Sequence, residues 1–243
     1  MSGEGPPVNG RDLLRIFVSL ECPVCGGVPF DGSPNMLCRE CLSGIRFLKP
    51  PYCPSCGGEH RGFLEVCPEC LSGKKKRWDG AVAAFAMTGT IKELLHSCKY
   101  QGQPELARVI GDLAYMAVCD RLPKTDCIVP VPLHWRRALR RGFNQSACIA
   151  ERLSAHTGVP CEPGLLKRVR FTGQQAKLGR KERLSNLSRA FSVPDSTNVK
   201  NRAILLVDDV MTTGATLSAA TQALKRAGAG AVYVFCAVRR QRI

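Results

Sequence analysis

The chain has 243 residues, 44% of them hydrophobic, with 35 Lys/Arg against 20 Asp/Glu and a formal net charge of +15. That length supports one sizeable core and a small module, but not several large domains. No apolar stretch approaches a transmembrane span, and the opening MSGEGPPVNGRDLLRIF lacks a basic segment leading into an apolar one. No membrane insertion is expected, and a cytoplasmic location is.

The charge is uneven. Residues 1–80 carry ten Lys/Arg and nine Asp/Glu, whereas residues 81–243 carry twenty-five and eleven, a net of +14. Polyanions, phosphorylated metabolites and acidic protein partners are all compatible with such a surface.

The first feature in chain order is a cysteine array. Eight of the fourteen cysteines form four CxxC pairs: Cys22/Cys25, Cys38/Cys41, Cys53/Cys56 and Cys67/Cys70. One CxxC turn aims two thiolates at an ion, and two such turns make a tetrahedral sulfur site. Glycines follow the first and third pairs, where they let backbone N–H groups approach the thiolates. Two structural Zn²⁺ ions are therefore expected in a ribbon module over 18–73. Sequential pairing follows an internal repeat of a glycine-following pair, a short loop and a plain CxxCL; pairing the first CxxC with the third is the alternative. Four CxxC copies without a strand–helix setting do not resemble a thioredoxin site, and an iron–sulfur cluster is the weaker fit. So small a module depends on metal for its folding energy. Lys74, Lys75, Lys76 and Arg77 then read as a solvated linker or the first turn into the next domain.

A second domain is expected over 80–243. Short apolar runs at 82–87, 126–131, 204–207 and 232–238 read as strands, and 165–168 as a further short one. Helical spacing appears at 90–100, 104–122, 145–158 and 217–229. This alternation predicts an α/β fold with a mostly parallel sheet and flanking helices. Ligands of such sheets sit beyond the carboxyl ends of the strands, where the Pro130/Pro132 loop and Asp208-Asp209 are expected.

The 204–216 stretch, ILLVDDVMTTGAT, is the most informative. Its apolar strand is read as stopping on Asp208-Asp209 and handing over to Thr212, Thr213, Gly214, Ala215 and Thr216 before a helix. An ordinary strand-to-helix turn accounts for one cap, but not for paired carboxylates and three threonines around one glycine. N–H groups and hydroxyls at the helix start can cradle a phosphate, while the carboxylates must face hydroxyls or a metal ion. A ribose 5-phosphate satisfies both halves. No GxxxxGK[ST] is present, and GAGA at 228–231 follows a helix rather than preceding one, which excludes the common nucleotide loops.

This stretch resembles the 5-phosphoribosyl-1-diphosphate (PRPP) motif of type I phosphoribosyltransferases. Residues 99–107, 126–146 and 167–191, together with the tandem cysteine ribbons, look like the ComF family of competence-associated proteins, over about residues 18 to 240. The resemblance implies a type I phosphoribosyltransferase-like fold behind a double zinc ribbon, and a link to DNA uptake in natural transformation. It implies that Asp208 and Asp209 face ribose, that residues 212–216 hold the 5-phosphate, and that Val131, Pro132, Leu133 and His134 form the diphosphate loop. It further implies Mg²⁺ with PRPP, and a basic hood over 170–183. Arg136, Arg137, Arg140, Arg141, Lys177, Arg180 and Lys181 are its candidates for diphosphate contacts. Thr212 stands where purine-salvage members carry an aspartate, so purine salvage is disfavoured and the acceptor is left unnamed.

Residues 136–189 hold thirteen Lys/Arg against three Asp/Glu, a net of +10. A solvated basic face is one reading, and weak single-stranded DNA binding beside a helicase-like competence partner is the other. Trp135, Phe143 and Phe171 are available for stacking or for the core. Asn144 is expected to cap a helix, His96 to be structural, and cysteines 98, 119, 127, 148, 161 and 236 to be small buried hydrophobes.

Overall fold

The computed structural model describes residues 21–29, 37–61, 63–73, 75–134, 139, 141–169 and 190–240. Among these residues lie six strands and six α-helices. The strands are β1 (Gly80–Ala86), β2 (Cys127–Pro130), β3 (Lys167–Arg168), β4 (Phe191–Ser192), β5 (Ala203–Met211) and β6 (Ala231–Arg239). The helices are α1 (Arg39–Ser43), α2 (Pro68–Leu71), α3 (Gly89–Tyr100), α4 (Pro104–Val118), α5 (Gln145–Thr157) and α6 (Ala215–Arg226).

The main sheet has the order β1-β6-β5-β2, and every pairing is parallel. Its strands are buried on both faces, which is why 204–207 and 232–238 read as continuous apolar runs rather than alternating ones. One face packs Leu205, Val207, Phe235 and Ala237 against α3, α4 and α5 through Ile91, Leu94, Ile110, Ile149 and Leu153. The other packs Ile204, Leu206, Val232 and Val234 against α6 through Leu217, Ala220 and Leu224. β3 and β4 form a separate antiparallel pair, so the chain leaves and re-enters the described residues at adjacent points around 170–189.

The cysteine-bearing segment is part of both cores. Cys22, Leu37, Cys41 and Ile45 join the first, while Cys53, Cys56, Cys67 and Trp78 join the second. Between them, residues 46–48 run antiparallel along the outer edge of β1: Leu48 N–H donates to Ala84 O at 2.9 Å and Ala86 N–H to Arg46 O at 3.0 Å. This covers an edge that would otherwise expose unpaired backbone groups. Gly57 has φ 70° at this junction, and a Cβ there would lie 2.7 Å from the β1 backbone at Val82 and Ala83, so only glycine permits the approach.

Four expectations need correction. β5 does not stop at the acidic pair but continues through Asp208 and Asp209 to Met211. The reason is β6, which pairs with it as far as Met211↔Arg239, whereas β2 pairs only as far as Pro130↔Val207. The six single cysteines are not all buried: Cys98, Cys127, Cys148 and Cys236 are, Cys161 is half-buried, and Cys119 is exposed. Cys119 opens a 3-10 turn, Cys119–Arg121, because the helix expected over 104–122 ends at Val118. The 74–77 run is also not merely a linker, as Lys76 reaches the hydroxyl-rich turn.

Candidate functional site

Each cysteine quartet collects sequentially, which closes the pairing question. Cys22, Cys25, Cys38 and Cys41 form one group and Cys53, Cys56, Cys67 and Cys70 the other, with all sulfurs of a group within 4.8 Å of one another. Cys25 and Cys38 sulfurs are 3.5 Å apart, and Cys56 and Cys67 sulfurs 3.8 Å. Four sulfurs about 2.3 Å from a shared tetrahedral centre would be about 3.8 Å apart, so both groups suit structural Zn²⁺. Backbone donors complete each site: Gly27 N–H to Cys25, Cys41 N–H to Cys38 and Cys67 N–H to Cys53, each at 3.4 Å. Burial and then the neighbouring thiols push Cys41 and Cys70 well above the usual range. Burial opposes ionisation of Cys22 too, yet backbone hydrogen bonds from Cys38, Cys25 and Val24 pull it down to about 6. A crowded quartet cannot ionise fully without a cation at its centre.

The second site lies where β5 outruns β2. Because β2 ends at Pro130, the segment carrying Asp208 and Asp209 has a sheet neighbour on one side only. Asp208 accepts from Ser146 Oγ at 3.0 Å and from Asp209 N–H at 3.0 Å, both at Oδ1. Asp209 Oδ2 pairs with Lys99 Nζ at 2.6 Å. Burial, followed by the Asp209 charge, pushes Asp208 up to about 7, against the pull of Ser146, the Asp209 N–H and Lys99.

Helix α5 ties this pair to the loop after β2. Asn144 caps the helix, accepting from Ser146 N–H at 3.1 Å, and its Nδ2 donates to Val131 O at 3.0 Å. Val131 N–H in turn donates to Val207 O at 2.8 Å. Residues 144–146 therefore touch both the Val131–His134 loop and Asp208. Val131 and His134 are buried, and Pro132 and Leu133 half-buried. Arg141 Nη1 donates to Gln145 Oε1 at 3.2 Å. Two buried donors here, Arg141 Nε and Gln145 Nε2, have no hydrogen-bond partner among the described residues.

The hydroxyl-rich turn closes the other side. Thr212 and Thr213 are exposed, and Gly214 is the N-cap of α6 with φ 76°. A Cβ on Gly214 would lie 2.7 Å from Trp78 Cη2, so both conformation and space demand glycine. Ala215 N–H donates to Thr213 Oγ1 at 3.4 Å.

Through residues 144–146 the structure ties the acidic pair to the 131–134 loop and to Arg141, and β5 carries the acidic pair into the 212–216 turn. Arg136, Arg137, Arg140, Lys177, Arg180 and Lys181 lie outside the described residues, as do Trp135 and Phe171. Phe143 packs against the first core, and His96 is exposed, its ring tilted against Tyr100 at 4.6 Å between centroids. Sequence reasoning missed Lys99, Ser146, Lys76, Trp78 and Arg239 as parts of the site. Lys99 opens the 99–107 stretch and Ser146 follows the cap, so position offered a weak signal for those two; for Arg239, at the end of an apolar strand, none existed.

Comparisons with known proteins agree with this layout. A phosphoribosyl transferase domain family matches residues 139–242, and a double zinc ribbon family matches residues 13–71. Competence protein F of Haemophilus influenzae is 33% identical over 225 residues, covering 90% of this chain and 96% of that protein. The DNA utilization protein YhgH of Escherichia coli K12 is 33% identical over 84% of this chain and 90% of its own length. Competence protein ComFC of Bacillus subtilis is 28% identical over 84% of each. Among the described residues no helix is long and apolar enough to cross a membrane.

Proposed function

Since the chain belongs to the ComF family of competence proteins, with a type I phosphoribosyltransferase-like α/β fold behind a zinc-ribbon module, we propose that it binds PRPP with Mg²⁺ and acts in DNA uptake. The units are 18–73 for the ribbon and 80–243 for the phosphoribosyltransferase-like part. The single observation that carries the reading is the half-covered end of β5, where Asp208 and Asp209 stand beside the start of α6.

In this reading Asp208 and Asp209 accept the ribose hydroxyls. The N–H groups and hydroxyls of residues 212–216 hold the 5-phosphate at a helix start, whose dipole favours an anion. The loop of Val131, Pro132, Leu133 and His134 receives the diphosphate, and Arg141 Nε and Gln145 Nε2, which have no hydrogen-bond partner among the described residues, are the chain's own groups for it. Mg²⁺ supplies charge neutralisation on the diphosphate. Lys99 holds Asp209 until a ribose hydroxyl takes its place. Asp208, pushed up to about 7, accepts best above that pH.

The +10 charge over 136–189 supports a second reading, in which the chain senses PRPP or holds single-stranded DNA for a helicase-like competence partner without turnover. Titrating PRPP and Mg²⁺ into zinc-replete protein, then following diphosphate release with and without single-stranded DNA and across bases, separates the two. Binding with release marks a transferase, and binding without release marks the second reading. No binding at millimolar PRPP overturns the proposal.

A further inference from the structure

The second cysteine quartet and the hydroxyl-rich turn are joined by the side chains of Arg239, Trp78 and Lys76. Arg239 closes β6 and is 3% exposed. Its Nη1 donates to Thr212 O at 2.6 Å, Arg240 O at 2.6 Å and Met211 O at 3.2 Å. Its Nη2 donates to Glu69 Oε2 at 3.3 Å. Glu69 lies in α2 between the ligand candidates Cys67 and Cys70, and the Cys56 sulfur lies beside the guanidinium. Trp78 makes the second link: its ring lies under Gly214, and its Nε1 donates to Ser55 O at 2.8 Å inside the Cys53–Cys56 turn. Lys76 Nζ, 5.6 Å from the Trp78 ring, donates to Thr213 O at 3.3 Å.

The consequence is directional. The carbonyls of Thr212 and Thr213 accept from Arg239 and Lys76, and that of Met211 is shared between Arg239 and the Arg240 N–H. A trans peptide is planar, with each C=O antiparallel to the next residue's N–H. The N–H groups of Thr212, Thr213 and Gly214 are therefore turned away from Arg239 and Lys76. Three successive N–H groups facing one way form a concave anion site.

We propose that the second quartet is a metal-dependent brace for this turn: with metal bound, α2 and the Cys53–Cys56 turn hold Arg239 and Trp78, and Arg239 is the positioning residue that aims the 212–214 N–H groups. The phosphate-holding role of that turn rests on the PRPP reading; the mechanical coupling does not. Loss of metal from the second quartet loosens the turn through α2, whereas the first quartet has no such link among the described residues. Metal occupancy of the second quartet thereby sets ligand affinity at the turn.

Glu69→Ala, Arg239→Met and Arg239→Lys in the full chain test this, each checked for zinc content by elemental analysis. The primary readout is backbone amide exchange of residues 211–216 in the ligand-free protein; the second is calorimetric affinity for ribose 5-phosphate. Glu69→Ala and Arg239→Met are expected to keep two zinc ions while exchange over 211–216 accelerates, by at least about tenfold for Arg239→Met and about two- to fivefold for Glu69→Ala, and exchange of the sheet core is unchanged. Arg239→Lys restores part of the protection. Should Arg239→Met fail to fold, Glu69→Ala carries the test, because the Glu69 side chain is 46% exposed. Unchanged exchange with both zinc ions retained overturns the brace. Faster exchange in a protein whose wild type ignores ribose 5-phosphate upholds the brace and sinks the PRPP reading; ligand binding with unchanged exchange does the reverse.

Discussion

Asp208→Asn separates the stability of the fold from the demands of its site. In the folded chain burial and Asp209 push the Asp208 carboxyl from 3.8 to about 7. The folded state thus holds this proton more tightly than the unfolded state does. Its contribution to stability is full below about pH 4 and is lost as pH rises through about 7. With that shift, the wild-type chain should lose about 1.4 kcal/mol of stability from this group between about pH 6 and about pH 8.5. The amide introduced by Asp208→Asn would keep an acceptor for Ser146 Oγ and the Asp209 N–H without carrying a charge, so the variant lacks this loss. The thiolates titrate alike in both proteins, so the difference between them cancels the pH dependence of the metal sites. Urea unfolding with zinc present, at both pH values, measures it. The variant should gain on wild type as pH rises; an equal or opposite gap at the two pH values would refute the burial argument.

Other outcomes follow from the same geometry. Gly214→Ala forces a Cβ against Trp78 and a side chain into a left-handed backbone, and should destabilise the chain by about 2 kcal/mol in chemical denaturation. Elemental analysis of metal-replete protein should give two zinc ions per chain, and chelation should release the 46–48 edge pairing, seen as faster amide exchange along β1. An iron–sulfur absorption band or a single zinc would contradict that assignment. Single-stranded DNA binding should weaken steeply with salt, and neutralising Arg136, Arg137, Arg140 and Arg141 should flatten the log–log slope by up to about 3. A salt-independent affinity would remove the basic face from the account.

Much of this molecule can be read from local pattern. The four CxxC pairs predict two tetrathiolate groups because their ligands are near in sequence. The apolar runs predict the parallel sheet because its strands are buried on both faces. The acidic pair and the threonine–glycine turn are legible for the same reason. What escapes is set by tertiary pairing. Whether β5 ends at Val207 or Met211 depends on β6, 20 or more residues away, and not on the composition of 204–211. Lys99 and Ser146 meet the aspartates from two helices whose faces no local pattern orients. Arg239 looks like the polar end of a strand, and only the ribbon folded against it makes it a buried hub. The ribbon reads from sequence as a separate front module, and its membership of both cores is equally a property of the assembled chain.

The central claim is that Asp208 and Asp209 receive the ribose of PRPP. Calorimetric titration of PRPP with Mg²⁺ into zinc-replete wild type and an Asp208→Ala, Asp209→Ala double variant tests it most directly. Each lost charge-assisted hydrogen bond is worth about 1.5–3 kcal/mol, so affinity for PRPP should fall at least about a hundredfold. Affinity for inorganic diphosphate, which has no ribose, should fall less. Undetectable binding to wild type at millimolar PRPP, or equal affinity in the double variant, would contradict it.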